Sequence, residues 1–443
     1  MNESTPPAEH PAAPAEMQRG EATSGRAAVP LRLAVIGAGP VGLALALHAA
    51  AALPDAEIAL FDSRPLDVDV SADPRTLALS LGSIQLVQRL GAWRAETAQP
   101  IAEVHVSQDA PSLLGAVASR FGETALTIRA IDEAVPMLGA VMSYGAVVAP
   151  LQSVWVEAQA REPHRLFSRF GAAVTALRNI AAPAGVEVDS GIVERFDLAV
   201  VAEGGVFTTT AKSDLVAGAR RPALRHDYGQ TAWVGIATFA GADKAGSGGS
   251  VGGGMRGVAY ERFTRHGPAA LLPLRDGRAG LVWCVDSRDD PVKDLDDAQR
   301  VAVLNTIFHP STPRLASLSP LKAFPLGLSA ERTLTDGRTV RIGNAAQTLH
   351  PVAGQGLNLG LRDAFELVRS LARQPDVDAV LRRLEWQRAP DRWAMIAATD
   401  FLARSFTWVL PGAATARGLG LFALQSLGPI KSAIARQMMF GSR

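Results

Sequence analysis

The sequence predicts an α/β fold: a parallel sheet opening on a glycine turn, an α+β region following it, and a helical tail. Three observations predict this. Residues 31–62 read in order as strand, glycine turn, helix, strand and acid. A second glycine-rich loop, residues 343–356, again leads from a strand into a helix. Residues 223–326 carry alternating, aromatic strands at Thr231–Phe239, Ala259–Thr264, Ala270–Leu274 and Leu281–Val285, the pattern of an antiparallel sheet over a pocket.

Composition narrows the function classes. The 443 residues suffice for two or three domains. Hydrophobic residues make up 48% and charged residues 20%, which excludes a wholly disordered or fibrous chain. Lys and Arg number 44 against 43 Asp and Glu, and the net charge of +1 points to no nucleic-acid partner. Cys284 is the sole cysteine. A disulfide within the chain, a cysteine zinc cluster and a cysteine-held iron–sulfur centre are therefore excluded, and a reducing compartment is expected. Residues 1–30, rich in Ala, Pro and Glu, predict a disordered arm without a signal-peptide run. The apolar stretch Val41–Leu53 is 13 residues long, short of the ~20 a membrane span needs, and reads as a buried helix.

The first element begins with the apolar run Leu31–Ile36, suited to a buried parallel strand. Gly37, Gly39 and Gly42 follow, then a helical pattern through Leu43, Leu47 and Ala50. Gly37 permits a tight turn, Gly39 lets backbone approach a pyrophosphate, and Gly42 lets helix pack closely on strand. The helix start offers free N–H groups and the positive dipole end to phosphates. A second run, Ile58–Phe61, ends at Asp62, 25 residues after Gly37, where an acid can bind a ribose diol. This unit predicts a Rossmann-like dinucleotide site and, by itself, leaves NAD and FAD both open.

The second element reads R-I-G-N-A-A-Q-T-L-H-P-V-A-G-Q-G-L-N-L-G-L-R-D-A. Thr339–Ile342 is strand-like, Gly343–Gly356 is a long loop, and from Leu357 onward Leu361, Ala364, Phe365, Val368 and Leu371 form a helical stripe. This segment resembles the second flavin fingerprint of the aromatic-ring flavoprotein monooxygenases, the para-hydroxybenzoate hydroxylase-like superfamily. Within it the wording resembles the hydroxylases of ubiquinone biosynthesis. Supporting stretches are Asp73–Ser80, Asp227–Gln230, Ala259–Pro268 and Leu281–Cys284.

The resemblance implies a Rossmann-like FAD-binding domain with an α+β substrate domain. It implies FAD as cofactor, NAD(P)H as co-substrate bound transiently, dioxygen, and a polyprenyl-phenol substrate hydroxylated on its ring. Gly37, Gly39 and Gly42 would hold the FAD pyrophosphate. Asp62 would bind the adenosine ribose, with Arg64 on the adenine side and Arg75 near flavin and phosphates. Gly343 and Asn344 would meet the ribityl chain, Asn344 standing where the family usually has aspartate. Pro351, Gly354, Gln355, Gly356, Leu357 and Asn358 would line the isoalloxazine ring. His350 and Gln355 are the candidate catalytic residues. Glu203 and Gly204 occupy the place of the superfamily's Asp-Gly motif, which serves both FAD and NAD(P)H. A related FAD oxidoreductase acting on a soluble aromatic, and a non-catalytic flavin-binding subunit of a biosynthetic complex, remain as alternatives.

The remaining features are weighed against plainer roles. The His residues lack metal-ligand spacing, and His48 reads as a helix-face residue. Gly246–Gly254 reads as a mobile loop or substrate lid. Trp283, Phe263 and Tyr260 are expected in core packing, or against the ligand. The expected organisation is a flavin-binding domain from 31–100, 135–222 and 327–400, a substrate domain from 101–134 and 223–326, and a helical segment at 401–443. That segment mixes Phe401, Leu402, Phe406, Trp408 and Phe422 with Arg404, Arg417, Lys431 and Arg436. It can pack on its own domain or lie on a membrane or partner. The protein is expected in the cytoplasm, with peripheral contact on the inner face of the membrane as the variant reading.

Overall fold

A computed structural model describes Met1 and residues 30–108, 125–204, 224–240, 257–351, 354–405 and 413–441. The expected arm at residues 2–29 and the glycine-rich loop at Gly246–Gly254 lie outside the described residues, as do Phe406 and Trp408.

Eight α-helices occur among the described residues: α1 (Pro40–Ala52), α2 (Leu81–Arg89), α3 (Tyr144–Arg161), α4 (Asp297–Ile307), α5 (Gln355–Arg373), α6 (Val377–Ser405), α7 (Ala413–Ser426) and α8 (Gly428–Phe440). The first sheet has six strands in the order Thr335–Asp336, Thr339–Arg341, Leu198–Val201, Arg32–Ile36, Glu57–Asp62 and Leu166–Phe170. All pairings are parallel except the edge one.

A parallel sheet is buried on both faces, so its strands read as continuous apolar runs. Arg32–Ile36 demonstrates this. Leu33 and Val35 pack with α1, α3 and α5, through residues such as Leu43, Trp155 and Leu361. Ala34 and Ile36 pack instead against a three-stranded sheet, through Leu177, Val186 and Phe196. Helix α1 is buried at every residue from Val41 to Leu47, nearly two full turns, which explains its lack of a polar face.

The second sheet has nine strands. Along its path run Gln347–Thr348, Lys322–Ala330, Leu224–Phe239, Ala279–Asp286, Gly267–Pro273, Val258–Thr264, Glu103–Gln108 and Ala125–Arg129; Leu315–Leu318 pairs beside Leu224–Phe239. One face packs on α4, with Leu271, Leu281 and Trp283 against Leu304 and Phe308. Two differences from the sequence reading concern boundaries. The 326/327 limit falls inside the strand Lys322–Ala330, because Pro325 and Gly327 stay extended and pair with Leu224–Phe239 instead of turning. Gln347–Thr348, inside the loop expected at 343–356, also joins this sheet by pairing with Lys322–Ala330.

A small sheet of Thr76–Ser80, Gly139–Ser143 and Gln99–Ile101 lies between these layers in sequence. Its apolar residues cluster with those of the second sheet and of α7 and α8: Ile101 and Val141 pack with Leu126, Ile128, Leu421 and Met439. No helix among the described residues is long and apolar enough to cross a membrane.

Candidate active site

The first glycine turn leaves the strand Arg32–Ile36 at Gly37, whose φ of +102° is a left-handed value that favours glycine. Its N–H donates to the Phe61 carbonyl at 2.8 Å. A Cβ at Gly42 would lie 1.8 Å from the Gly37 carbonyl oxygen, so α1 can approach the turn only with glycine there. Pro40 opens α1, and neither a capping side chain nor an acid occupies its first turn. The positive end of its dipole is thus left for an anionic ligand.

The acid at the end of the second strand closes this turn. Asp62 Oδ2 accepts from the Ala38 N–H at 2.6 Å, and Oδ1 accepts from the Arg64 N–H at 2.8 Å. Glu203 stands against the turn: a Cβ on Gly37 would be 2.8 Å from the Glu203 nitrogen. Burial, and then the Asp62 carboxylate, push the Glu203 carboxyl above its usual range. Arg64 has a buried Nη1 without a protein partner. A buried guanidinium nitrogen left in this way suits an acceptor-rich ligand beside Asp62.

Arg75 reaches the turn indirectly. Its Nη2 pairs with Asp73 at 2.7 Å, and its guanidinium lies 4.1 Å from the centre of the Tyr144 ring. The Tyr144 hydroxyl would meet a Cβ on Gly39 at 3.6 Å. Burial raises the pKa of that hydroxyl, so it is present as a neutral donor. Tyr144 was not singled out from sequence; it lies outside every recognised motif.

The second turn is brought against the first. A Cβ on Gly360 would be 2.7 Å from the Gly343 Cα and 3.0 Å from Val41 Cγ2, so α5, the loop and α1 are in close contact. The Asn344 amide lies between Gly204 and the start of α5, 3.5 Å from a Cβ built on Gly204 and 3.9 Å from one on Gly356. Gly354 caps α5 with φ of +60°, and again no side-chain cap or acid fills the first turn. The helix starts at Gln355, two residues before the expected Leu357, because left-handed Gly354 ends the loop. Leu357 packs partly buried against the core below the parallel sheet.

Asn358 ties this helix start to the small sheet. Its Oδ1 accepts from the Ser80 N–H at 2.8 Å, and its Nδ2 donates to the Ala78 and Gly354 carbonyls at 3.1 and 3.0 Å. His350 is buried, with Nε2 3.0 Å from Gln230 Oε1 and the Tyr228 ring edge-on at 5.3 Å. Burial pushes its pKa down to about 4, so the imidazole is neutral near pH 7. Gln230 Oε1 can only accept, which puts the ring proton on Nε2. Gln230 and Tyr228 belong to the Asp227–Gln230 stretch, which carried a resemblance but no assigned role.

Beside Pro351, Gly354, Gln355 and Asn358 opens a cavity of about 420 Å³. Its wall is almost wholly apolar. The second sheet contributes Val104, Ile128, Phe263 and Leu272, α6 contributes Phe401 and Leu402, and α7 and α8 contribute Leu421 and Met439. Of the three aromatic residues in question, Phe263 faces the cavity, whereas Trp283 belongs to the opposite face packed on α4. Tyr260 borders the cavity, while its ring packs toward the α4 side and lies 5.7 Å from His105. His48 stacks on Phe365 at 4.8 Å, a helix-to-helix contact.

Comparison with known proteins fits this geometry. The model of a family described as FAD binding domain matches residues 240–399. The 3-demethoxyubiquinol 3-hydroxylase of Escherichia coli is 29% identical over 423 residues, covering 91% of this chain and 96% of that protein. The ubiquinone hydroxylase UbiL of Rhodospirillum rubrum is 36% identical over 193 residues, which is 42% of this chain and 44% of that protein. The chain therefore matches less than half the length of that relative and nearly all of the Escherichia coli one. Among solved structures, Klebsiella pneumoniae HpxO, complexed with FAD and uric acid, superposes with a TM-score of 0.62 at 16% identity, covering 93% of this chain and 97% of that one. The p-nitrophenol 4-monooxygenase PnpA of Pseudomonas putida gives 0.64 at 14% identity, covering 94% and 99%.

Proposed function

We propose that this chain is an FAD-dependent aromatic-ring monooxygenase, similar to the ubiquinone-biosynthesis hydroxylases, and that it hydroxylates a polyprenylated phenol with NAD(P)H and dioxygen. One observation carries the reading: two uncapped helix starts, from opposite ends of the sequence, come together at glycine turns, and the second of them borders an apolar cavity. The orphaned Arg64 nitrogen and the two glycine cradles fit FAD. Bound FAD supplies the acceptance of electrons from NAD(P)H and the activation of dioxygen.

The chain's own residues would then bind and orient. The amides at Gly37, Gly39 and Gly42 and the α1 dipole would hold the pyrophosphate. Asp62 and Arg64 would take the adenosine end, and Arg75 would act over the phosphates through Tyr144. Glu203, Gly204, Gly343 and Asn344 would flank the middle of the cofactor. Pro351 and Gly354 to Asn358 would line the ring, with Gln355 and neutral His350 as the polar groups nearest the reaction. The uncapped α5 start would turn positive potential toward that end of the cofactor and would suit negative charge there. The cavity would take the greasy substrate and exclude water. In this reading residues 31–100, 135–222 and 331–400 serve the cofactor, and 101–134 and 223–330, which takes in the whole strand Lys322–Ala330, serve the substrate.

The tail supports a peripheral membrane contact. Residues 401–443 carry Arg404, Arg417, Lys431, Arg436 and Arg443 and no acid. Phe401, Phe422, Leu427 and Ile430 are exposed, and Phe401 also lines the cavity. Such a surface suits an anionic phospholipid bilayer holding a prenylated substrate. Replacing Phe422 and Ile430 with Asp should release the protein from anionic vesicles; unchanged co-sedimentation would refute the contact.

The function is tested by purifying the yellow holoenzyme and adding NAD(P)H with short-chain prenylated phenols in air. A product heavier by one oxygen is expected. NAD(P)H oxidation that never yields a hydroxylated ring, with every phenol tried, would defeat the proposal.

A further inference from the structure

The cavity wall contains one charged side chain among its described residues: Glu261. Its position follows from strand alternation. In Val258–Thr264, residues 259, 261 and 263 line the cavity, and the buried Arg262 points to the other face. Register puts Val106 and Ala270 directly opposite Glu261 on the two neighbouring strands, and Val282 is opposite Ala270. All three line the same cavity. A carboxylate therefore sits in the middle of a sheet face that is otherwise uncharged and mostly apolar. Cys284 shares that face; burial first, and then the Glu261 carboxylate, push its thiol pKa up.

Apolar binding cavities commonly fix ligand orientation with a few convergent polar groups. The flavin-side end of this cavity offers Ser80, Gln355 and Asn358; Asn358 donates to the Ala78 and Gly354 carbonyls and accepts from the Ser80 N–H. We propose that Glu261 recognises the ring hydroxyl of the substrate: its carboxylate accepts the hydrogen bond of the phenolic O–H while the apolar walls take the ring and prenyl chain. The assignment rests on the phenol reading above and adds a specificity-determining residue to it. It predicts selectivity for a free hydroxyl over the same ring with that oxygen alkylated, since an ether offers the carboxylate no donor.

The test is equilibrium binding to the oxidised, FAD-loaded enzyme, read from the flavin absorbance. The probes are a phenol carrying a two-isoprene chain and its O-methyl ether. Wild type should bind the phenol roughly tenfold to a hundredfold more tightly, the range of a hydrogen bond to a charged group. Glu261→Leu should bind both probes alike. Should that variant lose FAD, the isosteric Glu261→Gln serves instead and should cut the preference at least threefold. An undiminished phenol preference in the FAD-loaded variants would overturn the assignment. Equal binding of both probes by wild type would overturn it too, while leaving the phenol-hydroxylase reading standing. Wild type that binds neither probe would defeat that reading itself.

Discussion

The two helix starts are alike in lacking a capping side chain and an acid in their first turns, and they are held in place differently. The α1 start is held by neighbours in sequence: Gly42 packs on Gly37, and Asp62 bridges Ala38 and Arg64. The α5 start is held from a distance. Asn358 reaches residues some 280 positions away, and α5 itself is anchored by buried charge. Arg388 on α6 pairs with Asp363 on α5 at 2.7 Å and with Asp391 at 2.9 Å. Asp391 also accepts from Gln437 on α8 at 2.8 Å, and Arg362 pairs with Asp391 at 3.6 Å. The first helix start is thus built locally, whereas the second depends on α6 and α8 being docked.

Breaking the distant anchor should have the largest effect. Arg388→Ala leaves Asp363 and Asp391 buried without their main cation and should cost about 4 kcal/mol in urea unfolding. Next is Gly42→Ala, whose Cβ has no room; a loss of about 3 kcal/mol is expected, with FAD content reduced in the purified protein. Asn358→Ala should cost about 2 kcal/mol, because one buried and two partly buried backbone groups lose their partner. Its FAD should be released more readily on dilution, followed by flavin fluorescence. If Asn358→Ala proved as harmless as a surface change, the distant-anchor account would fail.

Acid should separate the two ends. His350 is held below its ordinary pKa of 6.5, at about 4. The unfolded chain therefore binds the extra proton first, and stability falls as pH drops from about 6.5 toward 4, by roughly 3 kcal/mol in all. His350→Gln should flatten that slope in denaturation curves. Glu203 has the opposite sign: its raised carboxyl favours the folded state at low pH, and stability is lost as pH rises through its titration. The smallest effect is expected from Glu203→Asp, which keeps the charge and shortens the arm. FAD affinity should change by no more than about threefold in fluorescence titration.

Most of the first turn was legible because its physics is local. A glycine at positive φ, a proline opening a helix and a buried apolar run each announce themselves within a few residues. Asp62 was legible for the same reason, at a fixed spacing within one βαβ unit. Gln230 behind His350, Tyr144 under Arg75, and the backbone partners of Asn358 were not legible. Their chemistry is a pairing between segments, and no periodicity encodes which segments meet. Trp283 and Phe263 illustrate the same limit at smaller scale: alternation marks both as strand residues but does not say which face looks on a cavity.

The sequence alone determined the glycine turns, the helices they open and the apolar strands between them, since those follow from steric freedom and hydrophobic pattern along short stretches. Only the tertiary structure decided that the two turns come into contact, that α6, α7 and α8 wall the apolar cavity beside the second, and that Glu261 lines it. Those outcomes depend on long-range packing and on strand register, where a shift of one residue would exchange Glu261 for Arg262 on the cavity face.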